Sequence, residues 1–117
     1  MSTMLLVPLE DIVVFPNMNV TLTVDVGSEE RVLLVPRHES DYATVGTVAE
    51  VTDRVRLPGG GRAVALAGLH RGVAGAAETD ASGVPMLRAT AFARSSAGDR
   101  TEEVLFRLVD GVWKRAN

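Results

Sequence analysis

Few residues in this chain of 117 could do chemistry, and they are scattered. There are two histidines, His38 and His70, one lysine, Lys114, and no cysteine. Without cysteine there is no thiolate nucleophile, no disulfide framework and no cysteine zinc site. Two isolated histidines lack the spacing of a metal site and read as surface residues. Lys114 stands near the end of a segment with helical spacing, where its charge suits a helix C-terminus better than it suits catalysis. Glu10 and Asp11 are adjacent, so their side chains diverge in an extended chain. They read as corner residues, not as an acid–base pair. Gly59-Gly60-Gly61 could cradle a phosphate only if a helix followed, and none is expected there. A hairpin turn is the better reading. Arg54, Arg56 and Arg62 gather near that turn, a solvated strand face before an acid-binding site. No Gly-x-x-x-x-Gly-Lys-Ser/Thr loop is present to hold ATP. The chain by itself is therefore not expected to be an enzyme or to carry a cofactor or metal.

What is left for function is surface. Phe15, Met18 and Met86 are large or flexible apolar residues near loops, and methionine adapts to varied peptides. Core packing is the plainer reading of all three.

The elements that must position these residues are mostly strands. Leu5 to Val7 can pair as a strand, and Pro8 removes a donor and weakens pairing there. Ile12 to Phe15 is a second apolar run, too short for a helix and closed by Pro16. It reads as an irregular plug that sends its Ile, Val and Phe side chains into a core. Val20 to Val26 alternates apolar and polar residues, a strand with one wet face. Gly27-Ser28-Glu29-Glu30 is a turn. Val32 to Val35 is a continuous apolar run, a strand buried on both faces. Residues 37–44 read as a polar loop. Val45 to Leu57 and Arg62 to Val73 form a hairpin about the Pro58–Gly61 turn. Gly68 and Gly72 mark bulges or close crossings of another segment. Gly75 to Pro85 reads as a surface loop, Met86 to Phe92 as a strand and Ala93 to Arg100 as a linker. Val104, Leu105, Leu108, Val109, Val112 and Trp113 then recur at helical spacing. Glu102 and Glu103 suit the start of a helix and Lys114 and Arg115 its end.

A chain of this length can bury about two thirds of its unfolded surface in one core. The net charge is −3, with no basic face of the kind that nucleic acid requires. No apolar run approaches the ~20 residues of a membrane span. Met1-Ser2-Thr3-Met4 has no basic region ahead of its apolar run, so no signal peptide is expected. The expectation is a soluble, cytoplasmic protein that engages neither membrane nor nucleic acid.

Four segments, in order, resemble one family. Val7-Pro8-Leu9-Glu10-Asp11-Ile12-Val13-Val14-Phe15-Pro16-Asn17-Met18 is similar to the opening of the N-terminal domain of Lon ATP-dependent proteases. That family writes it as Leu-Pro-Leu, an acidic corner, and an apolar run ending in Phe-Pro-Gly-Met. Val45-Gly46-Thr47-Val48-Ala49, Arg56-Leu57-Pro58-Gly59-Gly60 and Ala67-Gly68-Leu69-His70-Arg71 resemble its later strands and turn. Asn17 stands where glycine is usual, and asparagine tolerates left-handed geometry. The helix that the family usually carries between its second and third strands has no room at Gly27–Glu30.

The resemblance implies a mainly β, PUA-like pseudobarrel of about six strands followed by a C-terminal α-helix. Residues 1–94 would be the β domain, and 95–117 a linker and the start of a helical region. It implies a substrate-recognition module that holds unfolded or tagged polypeptides and aids homo-oligomer organisation. Lon proteases cut with a serine–lysine pair in a later domain. The candidate binding residues are Phe15, Pro16, Asn17, Met18 and Met86. A free-standing adaptor with the same β domain is the alternative. An RNA-binding PUA-like domain is third, disfavoured by the acidic balance and few aromatics.

Overall fold

Valine-rich runs broken by proline, glycine and Asx residues favour strands over helices. The computed structural model describes residues 4–10, 12–74, 78–95 and 98–116, and among these there are ten strands and no helix. They are β1 (Leu5–Leu9), β2 (Asn19–Leu22), β3 (Arg31–His38), β4 (Asp41–Tyr42), β5 (Val45–Arg56), β6 (Arg62–Val73), β7 (Glu78–Thr79), β8 (Pro85–Ser95), β9 (Gly98–Val109) and β10 (Val112–Arg115). The pairing path runs β1-β8-β9-β10-β4-β3-β5-β6-β2, with β7 beside β8. A further pairing joins β1 to β3, so six strands close a hydrogen-bonded circuit, and β5, β6 and β2 extend from it.

β1 is the inner wall of this arrangement. It runs parallel to β3, with Leu5 opposite Val32 and Leu9 opposite Pro36, and parallel to β8 at Leu6 opposite Ala91. Pro8 has no donor to give, and the ladder to β8 does not reach it. A strand flanked this way is buried on both faces and needs an unbroken apolar sequence. Leu5, Val7 and Leu9 face one cluster, with Val24, Val26, Val32, Leu34, Ala49, Val64, Leu66 and Phe92. Leu6 faces a second cluster inside the circuit, with Val35, Tyr42, Ala91, Val104, Phe106 and Trp113. There the Tyr42 and Phe106 rings meet edge to face, 4.8 Å between centroids. The buried Trp113 indole N–H donates to the Ala74 carbonyl at 3.0 Å.

The alternation over Val20–Val26 appears as burial that deepens from Leu22 to Val26, although ladder pairing stops at Leu22. β5 and β6 form the expected hairpin. It carries two register shifts, one skipping Leu69 on β6 and one skipping Thr52 on β5. Residues 37–44 are not simply a loop: β3 continues to His38, and Asp41–Tyr42 pairs both β3 and β10. The expected surface loop over 75–85 is described only from residue 78, where Glu78–Thr79 pairs β8. Ala93–Arg100 is not a linker, because β8 and β9 pair through Arg94 opposite Asp99 and Ser95 opposite Gly98. Residues 96 and 97 lie outside the described residues.

The expected C-terminal helix is absent, and Thr101–Trp113 is strand, turn and strand in the same sheet as β1. The same residues carry a period of two. Val104 and Phe106 are buried and Leu108 half-buried, while Thr101, Glu103, Arg107 and Val109 are exposed. Val109 pairs Val112 across Asp110-Gly111, at φ 52° and 81°. Two successive positive φ values make the two-residue turn that matches strand twist, for which Asp-Gly is a preferred sequence. Helical spacing held for the stripe, but the turn chemistry and a buried strand slot between β8 and β4 prevail. Gly111→Ala separates the two conformations. In a helix it would stabilise by about 1 kcal/mol. In this turn it forces alanine to positive φ and is expected to destabilise by about 1 kcal/mol. The denaturant midpoint at unchanged slope reads the sign.

Candidate functional site

The chain leaves β1 at Glu10, whose carboxylate pairs with Arg37 of β3. Arg37 also donates to the Tyr42 hydroxyl at 3.1 Å and lies over its ring. Burial alone would lower the Arg37 pKa, but the contacts with Glu10 and Tyr42 raise it above the ordinary value. The group is a fixed cation that anchors the corner. Asp11, the other half of the expected acidic corner, lies outside the described residues.

The next segment crosses the β5–β6 hairpin. The buried Thr47 hydroxyl donates to the Val14 carbonyl at 2.6 Å, which fixes the segment's rotation. Val14 turns inward, 3% exposed, and its neighbours turn out: Ile12, Val13 and Phe15 are 40%, 47% and 49% exposed. This corrects the expected plug, since one side chain of the four enters the core. The hydrogen bond from Thr47 to the Val14 carbonyl holds that residue against the hairpin.

Phe15-Pro16-Asn17-Met18 is a tight turn. Met18 N–H donates to the Phe15 carbonyl at 3.1 Å, and Asn17 sits at φ 69°. Proline second and a positive-φ residue third are the requirements of a type II turn, and asparagine meets the latter without glycine. The turn is clamped to β6 from both sides. Asn17 N–H donates to the Gly68 carbonyl at 2.9 Å, and Gly68 N–H donates to the Met18 carbonyl at 2.8 Å. Gly68 is thus where another segment crosses closely, and a β-carbon there would lie 2.5 Å from the Phe15 carbonyl oxygen. The Phe15 N–H also points to the Met18 sulfur at 3.2 Å. Met18 is half-buried against the first cluster. The Arg71 guanidinium stands over the Phe15 ring at 5.1 Å.

Of the five candidates, Phe15, Pro16, Asn17 and Met18 therefore lie together in one turn. Met86 does not join them. It is half-buried on β8, paired with Glu78 and Arg107, while the turn is held by β6. The structure adds residues that sequence reasoning missed. Arg71 pairs Thr47, and the next pair on the same side is Val73 with Val45, 71% and 42% exposed. Phe15, under Arg71, and the pair Val45 and Val73 are thus exposed apolar side chains at the open end of the hairpin, and Ile12 and Val13 are exposed on the segment that leads into the turn. A signal for the valine pair existed. The two register shifts cancel, so counting outward from the Pro58–Gly61 turn sets Val45 opposite Val73.

This surface is suited to apolar contact and not to bond making. No group of three metal-ligating side chains occurs among the described residues. His70 is exposed, its Nδ1 at 2.9 Å from the Arg71 carbonyl. Among the described residues, the carboxylates with displaced pKa values are Asp80 and Glu102; both lie elsewhere and both are lowered. Backbone N–H groups of Val84 and Ser82, with Arg107, hold Asp80 down, and Arg115, with Arg100, holds Glu102 down. Carboxylates kept ionised in this way are structural partners, not proton donors at neutral pH.

The clamp makes a direct prediction. Gly68→Ala should destabilise the domain by about 1–3 kcal/mol, because the added methyl meets backbone that cannot rotate away. Urea unfolding measures it, and an unchanged midpoint would show that the turn is not seated on β6.

No family model matches the chain. It is 34% identical over 96 residues to the Lon protease of Salinispora arenicola (strain CNS-205), covering 73% of this chain and 12% of that protein. Among solved structures it is similar to the N-terminal domain of Mycobacterium avium complex Lon protease. The TM-score is 0.48 and the identity 22%, over 84% of this chain and 51% of that one. The chain thus spans about an eighth of the curated relative's length. By that sequence match, and by its four motif segments in order, the chain resembles the N-terminal domain of Lon proteases.

Proposed function

We propose that this domain is the polypeptide-recognition module of a cytoplasmic, ATP-dependent Lon-type serine protease. It holds unfolded or tagged segments and helps to organise the homo-oligomer. The observation that carries this reading is the exposed apolar surface of Ile12, Val13, Phe15, Val45 and Val73. Exposed large apolar side chains gathered at one end of a sheet are a feature of interaction sites. It is clamped through Gly68 and Thr47 to a two-stranded support, so its side chains are held in place before a ligand arrives. Preorganisation matters here, because a flexible polypeptide loses entropy on binding and the contact is weak and broad. Pro16 and Asn17 shape the turn, Phe15 makes the contact, and Met18 ties the turn to the core. Met86 is a separate contact on β8. The closed six-strand circuit, read as a PUA-like pseudobarrel, gives the surface its rigid base.

The test uses permanently unfolded, carboxymethylated α-lactalbumin as the ligand, with native α-lactalbumin as the control. Phe15→Ser and Val73→Ser are expected to keep the melting temperature. Each should weaken binding of the unfolded form by about tenfold, the scale of one anchoring side chain. Met86→Ser reads the β8 contact independently. Equal binding of native and unfolded protein, or unchanged affinity in both surface variants, would remove the proposed site.

A further inference from the structure

β2 pairs with β6 only as far as Leu22 opposite Val64. Beyond that point residues 24–27 diverge, and a cavity of about 160 Å³ opens between them and the end of the β5–β6 hairpin. Its floor is aliphatic, made by the buried Val24, Val26, Ala63 and Val64. Its rim is cationic, with Arg54, Arg56 and Arg62 against one carboxylate, Asp25.

The three arginines are not equivalent. Arg54 is occupied, donating to the Gly27 and Glu29 carbonyls and so holding the diverging segment in place. Arg62 is engaged through Nε alone, 3.7 Å from Asp25, whose other oxygen accepts from the Gly27 N–H at 2.9 Å. Arg56 is exposed, and no carboxylate among the described residues pairs with it. Arg56 and Arg62 also stand directly opposite one another across the hairpin. Like charges at paired positions repel, and an anion between them relieves that repulsion. Guanidinium groups grip carboxylates and phosphates in bidentate fashion, and the aliphatic floor beside them favours a carboxylate that carries an apolar side chain.

Size and lining narrow the ligand further. Small-molecule sites occupy roughly 300–1,000 Å³, so this cavity takes a group the size of one residue. The aliphatic floor calls for an apolar side chain beside the carboxylate. The last residue of a polypeptide offers both from a single carbon. The β2 ladder does not extend to Arg62–Ala63 of β6, the stretch along which an extended chain would lie. We propose that this cavity receives the C-terminal residue of an extended polypeptide, its carboxylate held by Arg56 and Arg62 and a small aliphatic side chain set on the valine floor. This rests on the reading of the chain as a polypeptide-recognition module and adds a second, terminus-specific contact to it.

The test is fluorescence anisotropy on the full chain with a labelled, unstructured Gly-Ser peptide ending in valine. The peptide is prepared as the free acid, as the C-terminal amide, and as the amide with an internal glutamate. The free acid is expected to bind about tenfold more tightly than the amide, in a salt-sensitive way. R56Q and R62Q should each remove that preference while leaving the melting temperature in place, and Phe15→Ser should leave the preference intact. Equal affinity of acid and amide, or a preference that survives R56Q, overturns the proposal. So does binding of the glutamate-containing amide equal to that of the free acid, since a side-chain carboxylate would then be the ligand. If no peptide binds while carboxymethylated α-lactalbumin does, the C-terminal site is wrong and the recognition reading stands. If neither binds, both fall.

Discussion

The parallel pairing of β1 with β3 is the constraint on which the other elements depend. Each strand is buried on both faces, so neither has a solvent side to relax toward. Leu5, Val7 and Leu9 build one cluster and Leu6 the other, and from β3 Val32 and Leu34 serve the first and Val35 the second. Burying each such side chain is worth about 1.5–3 kcal/mol, and the strands that carry them serve both clusters. A defect in β1 is therefore felt in both clusters. The pairing is also remote in sequence, since Leu6 reaches Ala91 on β8. The circuit closes only when the beginning and the later part of the chain have met.

The functional surface follows from the same wall. A chain leaving a two-sided buried strand must turn outward, and Glu10 with Arg37 fixes where it does. From there Thr47 and Gly68 hold the segment against the hairpin by its backbone. Because the backbone makes the attachment, most of the side chains are free to face solvent. The apolar surface is thus supported by polar contacts beneath it, which explains how Phe15 and Val13 can be exposed in a segment that is nonetheless fixed.

Much of this was legible in the residues, and the rest was hidden for definite reasons. The β5–β6 hairpin could be read because period-two alternation flanks a Pro-Gly-Gly-Gly turn. β3 could be read because a short, unbroken apolar run with β-branched Val32 and Val35 at its ends, closed by Pro36, is too short for a helix. The left-handed Asn17 followed from the resemblance, because it stands where that family usually has glycine. The apolar run Ile12–Phe15 could not be oriented, because four consecutive apolar residues do not say which faces inward. The partner that decides it, Thr47, is remote in sequence. The C-terminal segment misled because Val104, Leu105, Leu108, Val109, Val112 and Trp113 fit helical spacing while Val104, Phe106 and Leu108 fit a strand. Asp110-Gly111 discriminates between them, and its weight comes from the vacant slot beside β8 that no local pattern shows. The grouping of Arg54, Arg56 and Arg62 was visible, but the cavity beneath them was not, since it arises where β2 parts from β6.

The claim that one shared wall joins two clusters into a single cooperative unit is tested most directly by native-state hydrogen exchange in rising urea. The amides of Leu5, Leu6, Val7 and Val32–Val35 should be among the slowest, exchanging only through global unfolding, with the same urea dependence as residues of β9 and β10. If the β9–β10 amides exchange through a separate, lower-energy opening while β1 and β3 stay protected, the two clusters are independent and the account is wrong.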